Sequence, residues 1–203
     1  MQEVSVIIPN FNGMAYLDGV LAGLECQTVN NFEVILVDNG SSDGSCAFVS
    51  ARYPWVHLIE LPENFGFCKA VNEGIKASRA PYVLLLNNDI EVTENFIEEM
   101  ISAIRRHPKA FSCAARMIQF HDRDKLDDAG NYYCALGWAY ARGKGKDIHT
   151  YEKEEKVFAS CAGAAIYRKK IFDKIGLFDE EHFAYLEDMD VGYRARIHGY
   201  ENW

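Results

Sequence analysis

The sequence contains no CxxC pair, no excess of basic residues and no apolar run approaching the ~18 residues of a membrane span. Each absence removes a class. The cysteines (Cys26, Cys46, Cys68, Cys113, Cys134 and Cys161) are far apart, which argues against zinc ligation or a disulfide framework. They read as small buried thiols in a reducing cytoplasm. With 21 Lys and Arg against 30 Asp and Glu, the formal net charge is -9, which argues against a nucleic-acid-binding surface. An acidic chain that binds a phosphorylated ligand needs local positive charge, and a metal ion is an economical source. Met1-Gln2-Glu3 opens no basic segment leading into an apolar core, so no secretory leader is expected. Two nucleotide fingerprints are also missing. Pro9-Asn10-Phe11-Asn12-Gly13 stands where GxGxxG would follow a first strand, and GxxxxGK followed by Ser or Thr is absent. A dinucleotide dehydrogenase and a P-loop NTPase are thereby disfavoured.

What is present is a chain of 203 residues, 49% hydrophobic and 25% charged, the size and composition of one domain with a sizeable core. Its organising stretch is Tyr82-Val83-Leu84-Leu85-Leu86-Asn87-Asn88-Asp89, a short apolar run that reads as a strand buried on both faces. Asp89 at its end suits a hard cation such as Mg²⁺ or Mn²⁺, or a cap for a helix from about Thr93. Upstream, Val4–Ile8 and Val34–Val37 read as buried strands, and Val56–Leu61 as a partly alternating edge strand. Helices follow them: Leu17, Val20, Leu21 and Leu24 at helical spacing, a short one capped by Ser42 or Asp43 through about Arg52, and one carrying Ala70, Val71 and Ile75 inward. This alternation predicts a parallel sheet with helices on both faces, and such sheets bind ligands at the carboxyl ends of their strands. Asn10, Asp38, Asn64 and Asp89 all fall at that edge.

After about Ser112 the rhythm changes. Arg142-Gly143-Lys144-Gly145-Lys146 reads as a mobile surface loop and Asp127-Asp128-Ala129-Gly130 as a turn. Ala164–Tyr167 is predicted as a strand, Lys169–Ile175 as a helix closed by Gly176, and Glu187–His198 as a helix with Gly199 at its end. Glu187-Asp188 is either an ordinary acidic helix start or a second chemical site. The histidines have no metal-like spacing, and solvated positions are expected for Lys69 and Arg168.

Six motifs in one order resemble the family 2 inverting glycosyltransferases: Pro9–Gly13, Val37–Gly44, Asn64–Phe67, Leu86–Asp89, Gly163–Ala165 and Glu187–Asp190. The subgroup they look most like is the rhamnosyltransferase-type, cell-surface polysaccharide branch. The resemblance covers nearly the whole chain and implies the GT-A fold, a mostly parallel Rossmann-like sheet with a smaller mixed acceptor-side region. One catalytic domain is expected, with residues 1–112 as nucleotide-binding half and 113–203 as acceptor-side half. The implied reaction moves a sugar from a UDP- or dTDP-sugar, with inversion, to a hydroxyl of a saccharide or lipid-linked saccharide.

By that resemblance Pro9, Asn10, Asn12, Asp38, Asn64, Gly66 and Asn88 form the donor site, with Asp38 accepting the ring N–H of a pyrimidine. Asp89 holds a divalent metal, Mg or Mn, on the diphosphate. Asp188 is the general base, with Glu187 beside it for the acceptor; Asp190 is structural, and Asp127-Asp128-Ala129-Gly130, besides reading as a turn, resembles a family segment near the acceptor side. The family often has Asp at the position of Asn87 or Pro at that of Asn88, and this chain has one carboxylate only. Location in the cytoplasm is expected, with membrane contact only peripheral and through the acceptor. Since only Ile197–Trp203 follow the last turns of the final helix, the chain is expected to lack a closing strand and, with His198 suited to a helix cap, a further metal ligand. The rival reading is a related domain that binds nucleotide sugar without turnover.

Overall fold

A computed structural model describes residues 2–203. The first half alternates as expected: β1 (Val4–Asn10), α1 (Met14–Glu25), β2 (Phe32–Asn39), α2 (Ser45–Arg52), β3 (His57–Leu61), α3 (Phe67–Ala77), β4 (Tyr82–Leu86) and α4 (Phe96–Arg106). Beyond these lie β5 (Ala110–Ala114), the short β6 (Met117–Ile118), β7 (Leu126–Asp128), β8 (Asn131–Tyr133) and β9 (Ala139–Ala141). Then come β10 (Ala164–Arg168), α5 (Lys169–Ile175), α6 (Glu187–Ile197) and β11 (Glu201–Asn202). The main sheet has the order β11-β5-β10-β4-β1-β2-β3. β1 pairs in parallel with both β2 and β4, so the direction of winding switches between β1 and β4. β3 lies at the edge, as its partial alternation predicted. β10 runs antiparallel between β4 and β5 and marks where the parallel pattern ends.

Alternate residues of the central strands face two cores. Val6, Ile8, Leu84 and Leu86 pack with Leu17, Leu21 and Leu24 of α1 and with Ile97 and Ile104 of α4. Ile7, Val83 and Leu85 face the other way, onto Val71 and Ile75 of α3, Phe172 of α5 and Val191 of α6. Both faces of the sheet are therefore covered, which is why these strands read as unbroken apolar runs.

Several sequence expectations are corrected. The N-cap of α2 is Gly44, at φ 92°, rather than Ser42 or Asp43, and the helix begins at Ser45. Asp43 still serves helix ends, its carboxylate accepting from Ser45 N at 3.0 Å and from Met14 N, at the start of α1, at 2.9 Å. α4 starts at Phe96, after a turn in which Phe96 N donates to Thr93 O at 3.1 Å, so Asp89 does not cap it. Of the cysteines only Cys68 and Cys113 are buried, while Cys26 is exposed. Arg142–Lys146 is a tied turn: Gly145 N and Leu126 O, then Leu126 N and Lys146 O, bond at 2.8 Å each, and the buried Arg142 lies over the Tyr151 ring at 4.0 Å. Arg168 is held at the far end of the sheet, where its guanidinium donates to the carbonyls of Ala110, Ile104 and His107. Residues after α6 do pair, since β11 joins β5 and the fully buried Asn202 accepts from Ser112 Oγ at 2.8 Å and donates to Gly192 O of α6 at 3.1 Å.

α3 seats on β1 because Gly74 has no side chain: a Cβ there would lie 2.4 Å from Ile7 Cγ2. Gly74→Ala is expected to lower stability by ~1–3 kcal/mol through overpacking, although alanine favours helix. Urea denaturation checks this, and an unchanged midpoint would show that α3 is not held against β1 at that contact.

Candidate active site

The carboxyl edge of β1, β2 and β4 is closed by one polar network. Asn10, buried at the end of β1, donates from Nδ2 to Asp38 Oδ1 at 2.8 Å and accepts at Oδ1 from Asn88 Nδ2 at 2.7 Å. Asp38, also buried, accepts at Oδ2 from Ser41 N at 2.8 Å. Asn12 takes the left-handed conformation at φ 49°, which asparagine tolerates, and its Oδ1 accepts from Ser42 N at 2.9 Å. Four of the donor-site residues predicted from sequence, Asn10, Asn12, Asp38 and Asn88, are thus joined directly or through the 41–42 turn. Pro9 lies half-buried beside them, opposite Val37. The close approach requires Gly13, where a Cβ would stand 2.1 Å from Asn88 Nδ2 and 2.4 Å from Asn10 Oδ1.

Asn64 and Gly66 shape the loop that enters α3. Asn64 Oδ1 accepts from Asn39 Nδ2 and from Gly66 N, both at 2.9 Å, fixing the loop that enters α3. At the start of α3 one amide is taken, since Cys68 N donates to the Phe183 carbonyl at 3.4 Å. Gly66, at φ 88°, has Phe183 O only 2.6 Å from its Cβ position. This contact ties the donor half to the segment that leads into α6. Asn39 carries it and was missed as a site residue; in sequence it reads as part of a turn.

That segment is strained. Phe183, Tyr185 and Leu186 have φ of 56°, 73° and 66°, a conformation costly for non-glycine residues and concentrated at functional sites. It delivers Glu187 and Asp188 into the first turn of α6, where both are buried. Asp188 Oδ2 accepts from Asn131 Nδ2 and Oδ1 from Met189 N, each at 2.7 Å. Glu187 Oε2 is buried without a partner among the described residues. Burial pushes the carboxyls of Glu187 and Asp188 above the ordinary range, against the opposing pull of the helix N-terminus. Asp190, as expected, is structural and grips Arg194 at 2.9 and 2.7 Å.

A third acid joins them. Asp128, read from sequence as part of a turn, ends β7 and is buried, its Oδ1 accepting from Gly130 N at 2.6 Å. Desolvation first, and then the nearby charge of Asp188, push it up to about 6. Neither Asp128 nor Asn131 carries a periodicity signal, and only the hairpin's folding brings them to α6.

Asp89 is exposed at the lip of a groove of about 960 Å³, lined among others by Asn87, Ile90, Arg116, Phe120, Cys161 and Gly163. No group of three His, Cys, Asp or Glu is gathered for a metal among the described residues. The donor set therefore does not fit a cage made of protein alone. One free carboxylate does fit a hard cation whose remaining positions are filled by phosphate oxygens and water.

A doubly covered, mostly parallel sheet with its polar network at the β1/β4 switch defines the GT-A class of glycosyltransferase fold. Residues 5–176 match Glycosyl transferase family 2, and the chain belongs to that family. It is 27% identical to the N-acetylglucosaminyl-diphospho-decaprenol L-rhamnosyltransferase of Mycobacterium tuberculosis, over 93% of this chain and 69% of that protein. It is also 27% identical to an uncharacterized glycosyltransferase of Rickettsia typhi, over 94% of this chain and 58% of the relative. Among solved structures, S. aureus TarS 1-349 superposes with TM-score 0.73 at 20% identity, covering all of this chain and 58% of that one; its complexes with UDP and UDP-GlcNAc are also solved. The mannosyltransferase PcManGT from Pyrobaculum calidifontis, in complex with GDP-Man and Mn2+, superposes with TM-score 0.73 at 15% identity, covering 98% and 53%.

Asp128 makes a stability signature. Its carboxyl holds a proton to about pH 6, against an ordinary 3.8, so between those values the folded chain binds more protons than the unfolded one. Its contribution then makes stability fall as pH rises through that window. Asp128→Asn should match wild type near pH 4 and exceed it at pH 7 by about 1–3 kcal/mol. Urea midpoints at both pH values check this; a difference independent of pH would remove the titrating group from Asp128.

Proposed function

We propose that the chain transfers a sugar from a UDP- or dTDP-sugar to a hydroxyl of a saccharide or lipid-linked saccharide, with inversion, in polysaccharide biosynthesis. The observation that carries this is Asp188: a buried carboxylate, fixed by Asn131 and its own helix N-terminus and lying against the Ala162 backbone, next to Gly163, whose carbonyl accepts from Asn87 N at 2.8 Å just past the end of β4. Asp38 accepts two hydrogen bonds, and a carboxylate has lone pairs for about four, so it retains capacity for a pyrimidine ring N–H. The name of the mycobacterial relative supports a lipid diphosphate acceptor, and the UDP complex of TarS supports a uridine donor. Six unpaired cysteines suit action in a reducing cytoplasm.

Asp188 takes the acceptor hydroxyl proton as that oxygen attacks the anomeric carbon. The bond from that carbon to the diphosphate breaks on the opposite face, and the electron pair leaves with the nucleoside diphosphate. Burial raises the proton affinity of Asp188 toward the operating pH, which makes it a better base than an exposed carboxylate. Glu187, with one oxygen unpartnered, orients the acceptor by accepting a hydrogen bond from a second hydroxyl. Asp89 would hold a Mg²⁺ or Mn²⁺ ion, which when bound stabilises charge on the diphosphate.

Asp188→Asn is expected to retain UDP binding and lose transfer by ~10²–10⁴-fold in kcat, since a carboxamide keeps the shape and cannot accept the proton. Full activity would move the base to another carboxylate. Asp89→Ala is expected to bind UDP equally with and without Mn²⁺, whereas wild type binds more tightly with it. Titration calorimetry reads both, and unchanged metal dependence in the variant would place the ion elsewhere.

A further inference from the structure

Residues 129–141 carry no charged side chain, in a chain where a quarter of residues are charged. This run forms the β8–β9 hairpin, closed by a turn in which Gly137 N donates to Cys134 O and Cys134 N to Trp138 O, both at 3.0 Å. Its tip is the most exposed large apolar pair on one turn of the molecule: Leu136 is 85% and Trp138 72% exposed. Tyr133 and Tyr140 stand exposed on the strands behind it. Two lysines follow directly, Lys144 and Lys146, both exposed, while the intervening Arg142 is buried against Tyr151. Lys144 faces only a loose 3.6 Å contact with Asp127, which is worth little at a surface, while Lys146 donates to Tyr151 Oη at 2.9 Å with no carboxylate partner.

We propose that this hairpin is a membrane-docking element: Leu136 and Trp138 insert into the interfacial layer of a bilayer whose anionic headgroups meet Lys144 and Lys146. An aliphatic and an indole at the tip, phenols behind them and lysines at the base follow the order of polarity from acyl chain to headgroup. The net charge of -9 rules out attraction of the whole chain to an anionic surface, so binding must be local and apolar with only these lysines assisting. Other occupants fit less well. Tyr133 already stacks toward Phe158 at 5.3 Å, and Tyr132 on Tyr140 at 5.8 Å, so for a sugar only the Trp138 face is open, while the neighbouring leucine offers no face at all. A second copy of the chain would need roughly 800 Å² per partner, and two tip side chains do not supply it. The hairpin also begins at Asn131, whose amide holds Asp188. Docking the tip therefore brings the base toward the surface where a lipid-linked hydroxyl is presented. The purpose of docking rests on the lipid-linked reading of the acceptor; the docking itself does not.

The test is flotation of the purified chain with vesicles of phosphatidylcholine and phosphatidylglycerol, with no nucleotide sugar or acceptor present. Wild type is expected to float, and Leu136→Ser with Trp138→Ser to lose binding by about tenfold or more, as two interfacial apolar side chains predict. Lys144→Glu with Lys146→Glu should weaken binding to vesicles containing phosphatidylglycerol and leave binding to pure phosphatidylcholine unchanged. Trp138 emission should shift to the blue on vesicles and be quenched by brominated acyl chains, with both changes lost in Trp138→Phe. Circular dichroism and UDP binding of the tip variant report whether it folds. Wild type that stays with the aqueous phase, or a tip variant that floats equally well, overturns the proposal. So does a Trp138 response to soluble oligosaccharide but not to vesicles, or self-association that the tip substitutions abolish without any flotation. Transfer to a water-soluble acceptor is scored separately, so loss of vesicle binding and loss of the glycosyltransferase reading are told apart.

Discussion

Everything at the carboxyl edge of the sheet depends on the buried amide of Asn10. Three strand ends meet there, and a buried primary amide left unpaired would cost roughly 1–3 kcal/mol. Asn10 avoids that by donating to Asp38 on one side and accepting from Asn88 on the other, at 2.8 and 2.7 Å. The same bonds orient Asp38 and set the loops that follow β1, β2 and β4. Structure and site are one network here. A side chain at Gly13 would break it without touching any ligand.

The buried acids around α6 work by the opposite device. Asp128, Glu187 and Asp188 are buried near one another, and their carboxyls are held above the usual range by lost solvation. That cost is retained where an ordinary surface helix start would carry none. The φ values of Phe183, Tyr185 and Leu186 add strain of order 1–3 kcal/mol each in the same segment. Strain and desolvation converge on the one helix turn that presents Asp188. Sequence offers no packing reason for either.

Legibility followed the physics. β1, β2 and β4 were readable because burial on both faces writes a continuous apolar run, and α3 because its apolar face repeats at helical spacing. The edge position of β3 was readable from its partial alternation. Ser42 and Asp43 misplaced the start of α2, since the left-handed Gly44 sets it and a turn glycine looks alike in any loop. Glu187 and Asp188 stood out by motif. Asp128 and Asn131 did not, because short strands of three residues have no periodicity and their meeting with α6 is long-range, 57 residues apart for the Asn131–Asp188 bond. Arg142 looked like part of a basic loop because sequence cannot show that Tyr151 folds under its guanidinium.

The two halves are joined at Gly66. The Phe183 carbonyl occupies the amide of Cys68 at the start of α3, and the Phe183 ring and carbonyl fill the space a Cβ of Gly66 would take. Asn39 holds that loop from β2, immediately after Asp38. Asn39 and Gly66 thus link the end of β2 to the strained segment before Asp188 through contacts of 2.9 to 3.4 Å. Packed contacts of this kind move as units rather than deform. Asp188 is therefore positioned by contacts that reach back to the end of β2 as well as by its own helix.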